Sequence, residues 1–187
     1  MSKANSRLVW MDLEMTGLDP DKDTIIEMAT LITDAELNII ATGPELVIKQ
    51  DASRFESMDS WNREHHTKSG LWAKVLASKV TLEEAEGLTL DFIKQHCSLK
   101  ESPLCGNSIW QDRRFLVRYM QTLEAYLHYR LVDVSTIKEL AGRWYPKHKF
   151  KKPKGSHRAL DDIQESLDEL RFYRQTFFKL PAEVTAP

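Results

Sequence analysis

The stretch Leu8-Val9-Trp10-Met11-Asp12-Leu13-Glu14 constrains the fold more than any other part of the chain. Leu8 to Leu13 is a short apolar run that reads as a buried strand, and Thr16-Gly17-Leu18-Asp19-Pro20 then breaks it as a turn. Two acids, Asp12 and Glu14, stand at its end, and positions i and i+2 of a strand point to the same face. Adjacent carboxylates on one face repel each other and need a cation to stay ionised. The plain alternative is a strand end meeting solvent, where acids are common.

Two further segments, Thr24 to Thr33 and Leu37 to Lys49, are rich in Ile, Val, Leu and Thr and read as strands joined around Asp34-Ala35-Glu36. Residues 62 to 98 read as helices, with a capping-box pattern at Thr81-Leu82-Glu83-Glu84. Pro103 to Asn107 reads as a strand, Trp110 to Leu123 as a helix, Leu131 to Val134 as a strand, and Ser135 to Tyr145 and Ala159 to Phe178 as helices. Strands first, then alternating helices and strands, predict an α/β fold with a mixed five-stranded sheet flanked by helices. A chain of 187 residues, 42% hydrophobic, suits one domain with a real core; that domain is expected to fill 1–187, with its core in about 8–178 and a short C-terminal tail.

Lys plus Arg total 26 and Asp plus Glu total 28, a net charge of −2, which argues against holding long nucleic acid by charge alone. Bound divalent cations can supply positive charge locally. The exception is the run Lys147, Lys149, Lys151, Lys152, Lys154 and Arg158, whose plain reading is a solvated loop. No apolar run approaches the roughly 20 residues that span a bilayer, and Met1 to Arg7 shows no secretory signal. Two cysteines, Cys97 and Cys105, fit a reducing cytosol better than a disulfide scaffold. A cytoplasmic protein with no membrane association and no stable protein partner is expected.

Three more residues extend the acid pattern. On a helix, Asp112 lines up with Phe115, Leu116, Tyr119 and Leu123, the apolar face, where a charge is costly unless paired or coordinating; a helix N-cap is the alternative. In the last helix the stripe is Leu160, Ile163, Leu167 and Leu170, so Asp162 falls on its border and Asp161 points away. His157 lies just before that helix, beside the Lys-rich run, and taken alone reads as a surface residue. Together these are four acids without an evident basic partner, and one histidine. Oxygen-rich clusters bind hard cations such as Mg²⁺ or Mn²⁺. Two such ions about 3.5–4 Å apart clamp the attacking and leaving oxygens in phosphoryl displacement. Histidine can take a proton from an attacking water at neutral pH.

The order Asp12-x-Glu14, Asp112, His157-x-x-x-x-Asp162 resembles the DEDDh exonucleases, which have the ribonuclease-H-like fold. The five-residue step from His to Asp matches the histidine subclass; the sister subclass has Tyr four before the Asp, where this chain has Arg158. Trp10-Met11-Asp12-Leu13-Glu14-Met15-Thr16-Gly17-Leu18, Cys105-Gly106-Asn107-Ser108-Ile109 and His157-Arg158-Ala159-Leu160-Asp161-Asp162-Ile163 look like bacterial oligoribonuclease, and the resemblance runs from about Leu8 to Phe178.

The resemblance implies a metal-dependent 3′→5′ exoribonuclease with two ions, Mg²⁺ or Mn²⁺, per site. Asp12, Glu14 and Asp162 would hold the metals, Asp112 would assist directly or through water, and His157 would be the base. It implies that Leu18 wedges against bases, that Trp61 and His66 lie close to substrate, and that Ser108, Arg130 and Ser135 surround the terminal phosphate. It implies a homodimer in which Tyr129 serves the neighbouring site, and substrates that are very short RNAs, down to linear dinucleotides. Without the resemblance, Leu18 reads as turn packing, Trp61 as core and Tyr129-Arg130 as strand entry. The stripe in Trp110–Leu123 and the cluster Phe172, Tyr173, Phe177 and Phe178 are candidate interface surfaces or core. Rival readings are a DNA-proofreading or RNA-trimming nuclease of the same chemistry, or a non-catalytic nucleic-acid-binding module.

Overall fold

The computed structural model describes residues 7–151 and 158–178. Its sheet has five strands: β1 (Leu8–Met15), β2 (Ile25–Thr33), β3 (Ile39–Val47), β4 (Pro103–Gly106) and β5 (His128–Asp133). The helices are α1 (Ser53–Ser57), α2 (Ser60–Lys68), α3 (Leu71–Ala77), α4 (Leu82–His96), α5 (Ile109–Tyr119), α6 (Gln121–Tyr126), α7 (Val134–Trp144) and α8 (Ala159–Phe177). The spatial order is β3-β2-β1-β4-β5. The first three strands form an antiparallel meander, and β4 and β5 join β1 in parallel. This is the mixed sheet expected of the ribonuclease-H-like class.

The strand period of two sorts β1 between two cores. Val9, Met11 and Leu13 enter a cluster with Ile93 of α4, Phe115 and Leu116 of α5 and Leu123 of α6. Trp10 enters the opposite cluster, with Val134 and Ala141 of α7 and Ala159, Ile163, Leu167 and Tyr173 of α8. Asp12 and Glu14 continue the Trp10 side, so they face α8. The Gly106 backbone passes so close to β1 that an added Cβ would lie 3.0 Å from the Met11 carbonyl oxygen and 2.8 Å from Ile109. A side chain there would push apart β1 and the start of α5.

The boundaries differ from expectation in three places. Residues 62–98 resolve into α2, α3 and α4, with α1 ahead of them; the Thr81 capping box at the start of α4 is present. The helix expected over Trp110–Leu123 divides at Met120, whose φ of −136° and ψ of 58° are not helical. The apolar period continues through the break, because Leu123 of α6 returns to the same core as Phe115. Phe115, Leu116 and Leu123 of that stripe are therefore core, while Trp110 and Val117 on the same helix are exposed. In the C-terminal aromatic group Tyr173 is buried and Phe178 exposed. Strand β5 begins at His128, three residues before the expected Leu131. Cys97 and Cys105 are free, buried thiols. No helix among the described residues is long and apolar enough to cross a membrane.

Candidate active site and metal centre

Asp12 and Glu14 of β1 meet Asp162 from the first turn of α8. One carboxylate oxygen from each lies within 4.8 Å of the others, and all three residues are half-buried. Asp112 is buried in α5, and its Oδ1 accepts the Leu13 backbone N–H at 2.9 Å. It is not an N-cap, since Ser108 holds that position. Asp161 is exposed and Asp162 is not, as the helical period requires.

The electrostatics of the cluster are those of crowded anions. Burial, then Asp112, Glu14, Asp162 and Glu27 in turn, hold the Asp12 carboxyl far above the usual carboxylate range. Burial and the neighbouring acids Asp162, Glu27 and Asp112 push Glu14 up to about 8, with Arg158 pulling the other way. Burial pushes Asp112 up to about 7, although its Leu13 N–H bond opposes the shift. Acids this close and this poorly hydrated favour ionisation only when a cation sits among them. An all-oxygen set of this kind fits a hard divalent ion. Asp12, Glu14 and Asp162 are the residues that would hold it, with Asp112 beside them.

Sequence reasoning missed a basic partner. Glu27 lies opposite Glu14 on β2, is fully buried, and is bound through both oxygens by Arg158 Nε at 2.9 and 3.1 Å. Arg158 Nη2 also bonds Glu27 and Glu45. A glutamate inside the otherwise apolar run Ile25–Thr33 was the available signal, because a charge there has to be paired. His157, the candidate base, lies outside the described residues, as do Lys152 and Lys154 of the basic run.

The other candidates occupy distinct places around the cluster. Leu18 is 67% exposed at the tip of the turn after β1, so it is not packing for that turn. Its carbonyl accepts from Gln111 Nε2 at 2.7 Å and from Arg114 Nη1 at 3.3 Å, which ties the turn to α5. Trp61 is 66% exposed, stacked on His65 with ring centroids 4.6 Å apart, and is not core. His66 is buried; burial lowers its pKa, and its Nε2–H donates to the Met15 carbonyl at 2.9 Å. A neutral ring thus holds the end of β1.

Ser108 and Ser135 meet at one carboxylate. Asp133 Oδ1 accepts the Ser108 N–H at 2.9 Å, the Ser135 N–H at 3.0 Å and the Ser135 hydroxyl at 2.6 Å. Ser108 takes a left-handed backbone, φ +53°, so the turn is strained and depends on such a tether. Asp133 was legible as an N-cap two residues before Ser135 and was not singled out. A pocket runs from Asp12 and Asp162 to Ser108, Asn107, Lys138 and Phe150. Tyr129, 72% exposed, lines a separate groove with Lys100, Arg113, Glu124 and His128. Arg130 lies 5.4 Å from the Tyr129 ring centroid, and Arg113 Nη1 bonds the Tyr129 carbonyl at 2.8 Å.

Four acids gathered beside the central strand of a mixed sheet, three within carboxylate reach of one another, point to a metal-dependent phosphodiester hydrolase of the ribonuclease-H-like kind. Comparison with known proteins narrows this. The exonuclease family model matches residues 9–170. The chain is 56% identical over 182 residues to the oligoribonuclease of Klebsiella pneumoniae subsp. pneumoniae, covering 96% of this chain and 100% of that protein. It is 58% identical over 172 residues to the oligoribonuclease of Pseudomonas syringae pv. syringae, covering 92% and 96% of the two. Among solved structures, exonuclease I from Methylocaldum szegediense aligns with a TM-score of 0.61 at 18% identity, over 93% of this chain and 41% of that one, a likeness of fold. The chain belongs to the oligoribonuclease family of exonucleases, and it is a metal-dependent exoribonuclease.

Proposed function

We propose that this enzyme removes nucleotides in the 3′→5′ direction from very short RNAs, down to linear dinucleotides, and releases 5′-mononucleotides. The observation that carries the reading is the mutual approach of Asp12, Glu14 and Asp162, with Asp112 beside them, on a chain that shares more than half its residues with oligoribonucleases. Two divalent cations, Mg²⁺ or Mn²⁺, held by these acids would offset the charge that builds on the attacking and leaving oxygens. Among the chain's own groups, His157 takes the proton of the attacking water. Leu18 presents an apolar edge against which bases wedge. Trp61 stacks near the same end of the site, and His66 steadies the strand end that carries Glu14.

The length preference follows from the far end of the site. Ser108, Arg130 and Ser135 cap the terminal phosphate, Arg130 bidentately, and such a cap closes the path of a longer strand. The three donors on Asp133 support this reading by fixing both serines. Tyr129 stands out from the surface, which fits its serving the site of a second copy across a two-fold interface. The free, buried cysteines fit a reducing compartment, and a cytoplasmic homodimer is part of the proposal.

The test is hydrolysis of a labelled RNA ladder from two to about twenty nucleotides, with metal and with chelator. The shortest RNAs should be cleaved fastest, only with metal, and Arg130→Ala should slow the dinucleotide more than a five-nucleotide RNA. Equal rates on two and twenty nucleotides would refute the length selectivity, and cleavage of long single-stranded DNA in preference would favour the proofreading alternative.

A further inference from the structure

Helix α8 faces a physical difficulty that β1 does not. It must bring Asp162 to within 4.8 Å of Asp12 and Glu14, three like charges that push it off the sheet. Its N-cap residue, Arg158, supplies no side-chain cap to the helix itself. What meets the start of α8 comes from two other strands. Glu27 Oε2 accepts the Ala159 backbone N–H at 3.2 Å, so the first turn is capped from β2. The Arg158 guanidinium spans both oxygens of Glu27 and reaches on to Glu45 of β3. The first helical hydrogen bond, from Asp162 N–H to the Arg158 carbonyl at 3.0 Å, passes this anchorage to the ligand. Glu27 is in turn the cross-strand neighbour of Glu14.

We propose that Arg158, Glu27 and Glu45 form a clamp that positions Asp162 against Asp12 and Glu14 and so sets the spacing of the metal-holding acids. Arg158 is a positioning residue, since it acts through Asp162. The forked guanidinium is what the geometry requires. It reaches acids on two strands at once, where an ammonium is a single point of charge. The inference rests on the reading of the acid cluster as a metal site.

The clamp separates from general stability by one comparison. Removing Arg158 alone strands the buried Glu27 charge and unfolds or weakens the protein for that reason. Replacing the pair together, Glu27→Met with Arg158→Met, removes both charges and keeps the volume apolar, an exchange that is often neutral for stability. Metal-free protein is titrated with Mn²⁺ by calorimetry, and its thermal unfolding is recorded alongside. The double variant should unfold close to the parent temperature yet bind Mn²⁺ about 10–100-fold more weakly, the usual effect of losing a group that orients metal ligands. Arg158→Lys and Glu45→Gln, which leave no buried charge without a countercharge, should each weaken binding by a smaller factor and lower kcat more than they raise KM. Parent-like Mn²⁺ affinity in a folded double variant, or in both single variants where the double variant does not fold, overturns the clamp. Asp162→Ala is the arm that tests the underlying reading: it should abolish the binding, and if it does not, the metal site itself is misassigned whatever the clamp variants do.

Discussion

Asp12 and Asp133 are both half-buried acids on strands of the sheet near the same pocket, and they live in opposite surroundings. Asp133 Oδ1 takes three donors within 3.0 Å, two from backbone and one from a hydroxyl. Its charge is satisfied by the chain. The Asp12 carboxyl has four other acids as its electrostatic neighbours, Asp112, Glu14, Asp162 and Glu27, and its pKa rises with each. Among the described residues these neighbours all favour its protonated form, and a bound cation would reverse that balance. Solvent exposure does not separate the two residues, but the inventory of donors around each does. An anion that the fold has neutralised is architecture, and an anion that the fold has crowded is a binding site.

The largest expected effect falls on the crowded side. Asp12→Ala, or excess EDTA on the native enzyme, should abolish turnover, while the variant stays folded because removing one acid also removes repulsion among the rest. Circular dichroism and RNA hydrolysis together check this, and full activity in EDTA would erase the distinction between the two acids. Next is His157→Ala. A positioned base contributes about 10²–10⁴-fold to rate, so kcat should fall by that factor and the loss of activity at acidic pH should vanish from the profile. A parent-like kcat with an unchanged profile would assign proton removal elsewhere. The smallest effect belongs to the satisfied side. Asp133→Ala removes the N-cap of α7 and should cost about 1–2 kcal/mol of stability, read by urea unfolding, with Mn²⁺ affinity unchanged and the preference for dinucleotides reduced. Loss of metal binding in that variant would move Asp133 into the cluster.

Much of this site is legible in the sequence. Alternation along β1 put Asp12 and Glu14 on one face, and helical spacing separated Asp162 from Asp161 and buried Asp112. These are local periodicities, and one sequence carries them fully. The division at Met120 was not legible, because the hydrophobic pattern of α5 continues into α6 while only the backbone turns. The partnership of Arg158 with Glu27 spans 131 positions and joins a helix start to a strand two places across the sheet order from β4. No spacing rule connects such residues. The roles proposed for Leu18, Trp61, Ser108 and Arg130 rest on family resemblance, and the structure adds to each an exposure or a contact.

An acid cluster that needs a cation for completion leaves its mark on thermal unfolding measured against pH. Folded Glu14 titrates near 8 and Asp112 near 7, whereas unfolded carboxyls titrate near 4. Between those limits the folded state binds more protons than the unfolded one, so the stability of metal-free protein must fall as pH rises from about 4 to about 8. Divalent metal replaces those protons and stabilises most at the upper end. Adding Mn²⁺ should therefore raise Tm strongly at pH 8 and little at pH 5, and Asp12→Ala should lose most of the pH 8 increase. A Tm at pH 8 that Mn²⁺ leaves unchanged, or raises equally in Asp12→Ala, would contradict the account.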